Sequence, residues 1–227
     1  MSLLDRTEPT ATDDDTGVEV VAVVLAAGRG RRFGDATKQL AELDGRPLVA
    51  HVVDTAIAAD ATRVIVVVGH DGDAVAAAAR HAAGDVDVEV VVNPDHAVGQ
   101  GTSVAAAAGA VTAGASVPDA VVVLLADQPL VRPETVRAVG AAVTTGASAA
   151  RASYADRASH PVAFSPRILE RLAALTGDDG ARQLFDQLDV VHVLVGGLAP
   201  PDVDTPEDLD ELRRRSREAN GVSESAQ

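Results

Sequence analysis

The sequence predicts a Rossmann-like, three-layer α/β domain: a mostly parallel, twisted sheet with helices on both faces. Three observations carry this. Short runs of Val, Leu and Ile alternate with longer Ala-rich segments, the pattern of strands buried on both faces and joined by crossover helices. A glycine-rich turn follows the first of those runs directly. The chain has 227 residues, 47% of them apolar, which suits one domain with one sizeable core better than two.

The elements follow in order. Residues 1–17 are polar, with Asp13, Asp14 and Asp15 in a row, and are expected to form a disordered acidic tail. A first strand at 18–25 (VEVVAVVL) is followed by a helix at 47–59, a strand at 63–68, a helix at 72–82 and a strand at 88–92. The Ala-rich stretch 101–113 predicts a helix and 120–125 (AVVVLL) the next strand. Pro133 suits the first turn of a helix at 133–144. From about 150 to 190 the pattern loosens, and a small irregular lobe is expected, with a weak strand at 161–164 and helices at 166–175 and 179–187. A strand at 190–195 precedes a helix at 206–215, for which Thr205 is the N-cap, Pro206 the first-turn proline and Asp208 the acidic companion. The domain so bounded is 18–212. Residues 213–227 lose apolar periodicity and are expected to be a second disordered tail, and no internal repeat is visible.

Composition excludes several classes of function. There is no cysteine, so disulfides, thiolate metal sites and a cysteine nucleophile are ruled out, and any metal must sit on oxygen or nitrogen. A net charge of -15 argues against broad contact with a nucleic-acid backbone. An aromatic content of 2% without Trp leaves few platforms on which bases could stack. No apolar run reaches the ~20 residues of a membrane span, and the N-terminus lacks the order of a signal peptide. No nucleic-acid and no membrane partner is expected, and the location is expected to be cytoplasmic. Lys38 is the sole lysine and acid is spread along the chain, a balance like that of halophilic proteomes. At molar salt the screening length falls to about 3 Å, so surface charge says little about function.

The chemistry concentrates at a few places. The first strand runs into Leu25-Ala26-Ala27-Gly28-Arg29-Gly30-Arg31-Arg32-Phe33-Gly34 and then Lys38. Glycine without a Cβ lets backbone N–H groups approach phosphate closely, so this is a candidate phosphate cradle. Gly34 comes one residue too late for G-x-G-x-x-G, and the G-K-[ST] of a Walker loop is absent. A dinucleotide-binding dehydrogenase is disfavoured on that spacing. Three arginines and the sole lysine fall within Arg29 to Lys38, and a lysine is a compact point charge suited to phosphate.

The stretch L-A-A-G-x-G-x-R-x-G followed by K resembles the nucleotidyltransferases that include molybdenum cofactor cytidylyltransferases, with sugar-nucleotide and methylerythritol-phosphate cytidylyltransferases nearby. Arg32 matches their signature arginine. Gly30 stands where many members have serine and Phe33 where many have methionine, and Lys38 lies one residue further along than in the shortest versions. The resemblance extends over nearly all of 20–212, with the motifs in family order. It implies a nucleotide-diphospho-sugar transferase-like fold.

Asp127, in Leu124-Leu125-Ala126-Asp127-Gln128-Pro129, lies at the carboxyl end of a strand, where open α/β sheets bind ligands. The resemblance gives it a metal-binding role, and a hard oxygen ligand suits Mg2+. Asp202-Val203-Asp204-Thr205-Pro206-Glu207-Asp208-Leu209 resembles the D-x-D-T-P-E-D-L stretch that supplies the second metal ligand, here Asp204, although the same residues make an ordinary helix cap. The resemblance implies that Leu25, Ala26, Ala27, Gly28, Gly30 and Lys38 hold the nucleotide, with Arg32, Lys38 and Asp127 as the catalytic set. It brings Gly101, Thr102 and Ser103 to the base and ribose, where Thr102 is equally suited to capping the helix. His160-Pro161 resembles an acceptor-holding Gly-His-Pro with Ser159 in the glycine's place, and Gly177-Asp178-Asp179-Gly180-Ala181-Arg182 points to Arg182 at the acceptor. His51, His70, His81 and His192 have no ligand spacing.

The activity implied is Mg2+-dependent transfer of a nucleoside monophosphate from a nucleoside triphosphate, CTP favoured, to a molybdopterin-type acceptor. A molybdenum hydroxylase would be the downstream partner. The alternatives are GTP as donor, a sugar or polyol phosphate as acceptor, or a non-catalytic chaperone that holds the cofactor.

Overall fold

The computed structural model describes residues 17–34, 36–178 and 180–224. In chain order the strands are β1 (Val20–Ala26), β2 (Glu42–Leu43), β3 (Arg46–Pro47), β4 (Arg63–Val68), β5 (Val88–Val92), β6 (Ala120–Leu125), β7 (Ala149–Ser153), β8 (Ala158–Phe164) and β9 (Val190–Leu194). The helices are α1 (Leu48–Ala58), α2 (Gly72–Ala83), α3 (Gln100–Thr112), α4 (Pro133–Thr144), α5 (Leu169–Ala173), α6 (Arg182–Phe185) and α7 (Pro206–Glu224). Seven strands form one sheet in the order β5-β4-β1-β6-β8-β7-β9, and β2 and β3 form a separate two-stranded hairpin. β4, β1 and β6 pair in parallel, as do β4 with β5 and β7 with β9, while β8 runs antiparallel between β6 and β7.

The alternation of side chains along β1 explains the layering. Ala22, Val24 and Ala26 face one core with α1, α2 and α4, whereas Val21, Val23 and Leu25 face a second core with α3, α5 and α6. A strand buried on both faces needs apolar residues at every position, and burying a side chain such as Ile65, which is fully covered, contributes about 2 kcal/mol. The chain leaves β1 toward β4 and β5 on one side, then returns through α3 to β6 on the other. This reversal opens a crevice beyond the carboxyl ends of β1 and β6, the usual ligand site of open α/β sheets. A third cluster of Phe33, Leu43, Leu48, Val203, Leu209 and Leu212 fastens α7 beneath that crevice.

Three expectations need correction. The stretch from 150 to 190 is no separate lobe: β7 and β8 extend the main sheet. Its sequence, Ala149-Ala150-Arg151-Ala152-Ser153, lacks the β-branched residues that mark strands, and β7 is held by pairing with both neighbours. The two helices expected there are shorter, the first starting as a 3-10 turn at Pro166–Ile168. The last helix continues to Glu224, so the expected C-terminal tail is helical over most of its length. Glu211 pairs with Arg215 at 2.7 Å and with Arg214 along its exposed face, the i to i+3 and i to i+4 spacing that supports a helix with little apolar periodicity. The expected N-terminal tail, apart from Gly17, lies outside the described residues, as do 225–227. No helix among the described residues is long and apolar enough to cross a membrane.

Candidate active site

The crevice contains a cleft of about 380 Å³, lined among others by Leu25, Ala27, Gly28, Gly30, Lys38, Gln100, Ser103 and Asp127. Gly30 takes φ +56, and a Cβ there would lie 2.9 Å from the Cβ of Lys38. That contact explains a glycine at this position: the loop folds back against the lysine it must present. Gln39, itself buried, donates from Nε2 to the Gly28 carbonyl at 2.8 Å and fastens the loop from beneath.

Lys38 is the hub. Its Nζ donates to Asp127 Oδ2 at 2.6 Å and to Asp204 Oδ1 at 3.2 Å, with its side chain only 9% exposed. Arg32 Nη2 donates to the other oxygen of Asp204 at 2.9 Å. The segment bearing Asp204 reaches the site because Val203 N donates to the Asp127 carbonyl at 2.9 Å. Asp208 then accepts from the backbone N–H groups of Asp204 and Thr205, which makes Thr205 and Asp208 the cap and leaves Asp204 aimed at the lysine. Burial works against the Lys38 cation, yet Asp127 and Asp204 hold it above its usual range. Burial pushes Asp127 up, Lys38 offsets part of this, and Asp202 and Asp204 add like charge. Asp127 and Asp204 thus share one ammonium, Asp204 also pairs with one exposed guanidinium, and Asp202 adds negative charge nearby, a set that favours a further cation.

One oxygen supports that reading. Asp127 Oδ1 is buried and has no hydrogen-bond donor among the described residues, and a buried acceptor without a partner is costly. Hard carboxylate oxygens suit Mg2+ or Mn2+. Among the described residues no group of three or more His, Cys, Asp or Glu side chains could hold a metal, so Asp127 and Asp204 would share the ion with ligand oxygens.

The sequence-based site residues divide. Leu25, Ala27, Gly28, Gly30, Lys38, Ser103 and Asp127 face the cleft. Ala26 is fully buried in the core. Arg32 and Asp204 open onto a neighbouring, wider cleft. Thr102 is occupied locally: its Oγ1 donates to the Gly99 and Asp95 carbonyls and accepts from Asn93 Nδ2. Gly101 packs against the chain at Thr176 and Gly177, and its N–H donates to the Gly177 carbonyl at 2.8 Å. His160 and Arg182 meet in a third cavity of about 190 Å³. His160 is pushed down to about 4 by burial and by the charges of Arg182 and Arg151, so its imidazole is neutral at pH 7.

Four residues were not singled out by sequence reasoning. Gln39 braces the loop, and Asn93 holds the hydroxyls of Thr102 and Ser103 at 2.9 Å each. Gln128 donates to Asp202 Oδ1 at 2.6 Å, and Arg151 lines the third cavity. Each is a single polar residue whose burial only the fold creates, although the adjacency of Gln39 to Lys38 and of Gln128 to Asp127 was a usable signal.

Known proteins share this fold. The Mycobacterium tuberculosis protein Rv0371c is 31% identical in sequence, with a TM-score of 0.74 over 87% of this chain and 99% of that one. A complex of Rv0371c with manganese matches at 30% identity, TM-score 0.72, over 88% of this chain and 100% of that one. The bifunctional protein GlmU of Halorhodospira halophila is 51% identical over 89 residues, 39% of this chain. The chain spans only 18% of that GlmU. Residues 22–192 match the profile of the MobA-like NTP transferase domain, and with the lysine, the paired aspartates and the glycine-rich loop in place the chain belongs to that family of nucleotidyltransferases.

Proposed function

We propose that the chain transfers a nucleoside monophosphate from a nucleoside triphosphate to a phosphorylated acceptor and releases pyrophosphate, in a Mg2+-dependent reaction. The observation that carries this is the Lys38, Asp127 and Asp204 cluster at the carboxyl end of β6, beside a glycine-rich loop and with a buried carboxylate oxygen left without a donor. CTP as donor and molybdopterin as acceptor are favoured by the sequence resemblance, with a molybdenum hydroxylase as the consumer of the product.

Gly28 and Gly30 let the loop backbone close on the triphosphate. Lys38, released from Asp127 as the nucleotide enters, stabilises charge on the departing pyrophosphate. Asp127 and Asp204 would hold the Mg2+, which would supply neutralisation of phosphate charge. An acceptor phosphate oxygen attacks the α-phosphorus, the new P–O bond forms, the bond to the β-phosphate oxygen breaks, and pyrophosphate departs with the electron pair. An ionised phosphate is already a nucleophile and needs no general base.

The test is pyrophosphate release with Mg2+ in molar salt, as the acidic, lysine-poor composition suggests, offering CTP, GTP, ATP and UTP each with and without molybdopterin. Release with CTP and molybdopterin together is the expected result. Tight nucleotide binding without release from any pair would replace this reading with another acceptor, such as a sugar or polyol phosphate, or with the cofactor-holding chaperone.

A further inference from the structure

The third cavity shares Leu25, Gln100 and Leu125 with the nucleotide cleft, so a molecule in it would lie beside a bound nucleotide. Its wall carries Arg151, on β7. Register between β7 and β8 shifts between Arg151 and Ala152, and a bulge re-aims the side chains beside it. The Arg151 guanidinium lies 5.2 Å from the ring centroid of Phe185, and Phe185 stacks with Phe164 at 6.3 Å. Arg151 Nε is buried with no hydrogen-bond partner among the described residues.

The charges around it leave that donor unanswered. Burial and the neighbouring Arg182 both disfavour the Arg151 cation. Neither arginine has an ion-pair partner among the described residues. Asp202 borders the cavity, but its Oδ1 is taken by Gln128. Arg157 is paired with Asp156 at 3.0 Å, and His160 is neutral. The Arg151 and Arg182 guanidiniums, neither paired with a carboxylate among the described residues, repel each other across one small cavity, and the buried N–H goes unpaired. Such local conflicts are expected where a ligand completes the structure.

We infer that Arg151 and Arg182 form a two-guanidinium clamp for a dianionic group on the acceptor, a phosphomonoester carried by a flat or apolar body that lies against Phe185 and Phe164, and that Arg151 sets this selectivity. The inference rests on the nucleotidyltransferase reading of the adjoining cleft. The planar fork of arginine matches phosphate oxygens in pairs, which a lysine cannot do. The apolar floor favours a ring over a solvated sugar.

Phenyl phosphate and phenol serve as probes, titrated calorimetrically into the 227-residue chain with and without saturating CTP. The wild type is expected to bind phenyl phosphate and not phenol. Arg151→Met should weaken phenyl phosphate by about ten-fold or more, as the loss of charged hydrogen bonds implies. Its CTP affinity should stay within about two-fold, since that site has no shared partner with Arg151. Arg151→Lys should restore only part of the loss. Equal binding of phenyl phosphate by wild type and Arg151→Met, or equal binding of phenol and phenyl phosphate, would overturn the clamp. If Arg151→Met does not fold, Arg182→Met, at an exposed position, makes the same comparison. Phenyl phosphate binding that depends on Arg151 without any CTP binding would keep the clamp and remove the nucleotide reading. CTP binding without phenyl phosphate binding would do the reverse.

Discussion

Strands β4, β1 and β6 are Val-rich, run in parallel and are buried along nearly their whole length, whereas β7 and β8 mix in Ala, Ser, Arg and His, and these two and the Val-rich β9 are buried only in part. The difference decides where each half keeps its chemistry. A strand covered on both faces leaves no room for a polar side chain, so the first half places its groups just past the strand ends, at Gly28, Gly30 and Asp127. The second half is open enough to carry them on the strands themselves, at Arg151 and His160. The first half should therefore govern transfer to every acceptor, and the second should govern which acceptor is used.

The largest effect that would test this division is at Asp127. Asp127→Asn keeps the shape but removes the charge proposed to hold the metal, and kcat should fall by about a thousand-fold with any acceptor. Pyrophosphate release measured with two unrelated acceptors checks it, and a loss confined to one of them would break the comparison. Lys38→Met should lower kcat by about a hundred-fold. It also leaves the buried Asp127 carboxylate without its ammonium, at a cost of about 2 kcal/mol of stability in the ligand-free protein. Adding Asp127→Asn to Lys38→Met should recover that stability but not the activity, as urea unfolding beside the release assay would show.

A smaller effect sharpens the boundary between the halves. They touch where α3 begins: Gly99 takes φ +144, and a Cβ on it would lie 2.3 Å from the backbone of Gly177. A Cβ on Gly101 would lie 2.7 Å from the Thr176 carbonyl. Gly101→Ala should force the 176–182 segment away from α3 and cost about 2 kcal/mol in unfolding free energy. Because that segment leads into Arg182, the variant should raise KM for the acceptor more than KM for the nucleotide. Equal changes in both would mean that the halves are not separable.

The same contrast explains what was legible in the sequence. Runs such as Arg63–Val68 and Ala120–Leu125 predict their strands to the residue, because double burial imposes an unbroken apolar signal. Lys38 and Asp127 were readable for the same reason: each is a polar residue placed against such a run and its turn. Ala149–Ser153 carried no strand signal, since its pairing is imposed by β8 and β9 and not by its own propensity. Arg151 was hidden with it, and its neighbour Phe185 lies in a four-residue helix too short to show a period. Thr102 was readable only as one of two roles, and its three hydrogen bonds within the loop favour the structural one.

The gentlest test uses pH and acts on the second half alone. His160 is held near 4 in the folded chain by burial and by Arg182 and Arg151, against an ordinary value of 6.5. Between those values the unfolded chain binds a proton that the folded chain does not, so stability rises with pH across this window and falls as pH drops from about 6.5 toward 4. For a half-buried group the loss should be about 2 kcal/mol. His160→Gln should abolish that part of the slope in urea midpoints measured from pH 7 to pH 4.5, while Lys38 and Asp127 keep their contribution. An anion between the arginines offsets the field that depresses the imidazole, so phenyl phosphate should shrink the difference in slope between wild type and His160→Gln, in which the phosphate's own titration cancels. A slope that survives His160→Gln would place the titrating group elsewhere and uncouple the imidazole from the acceptor cavity.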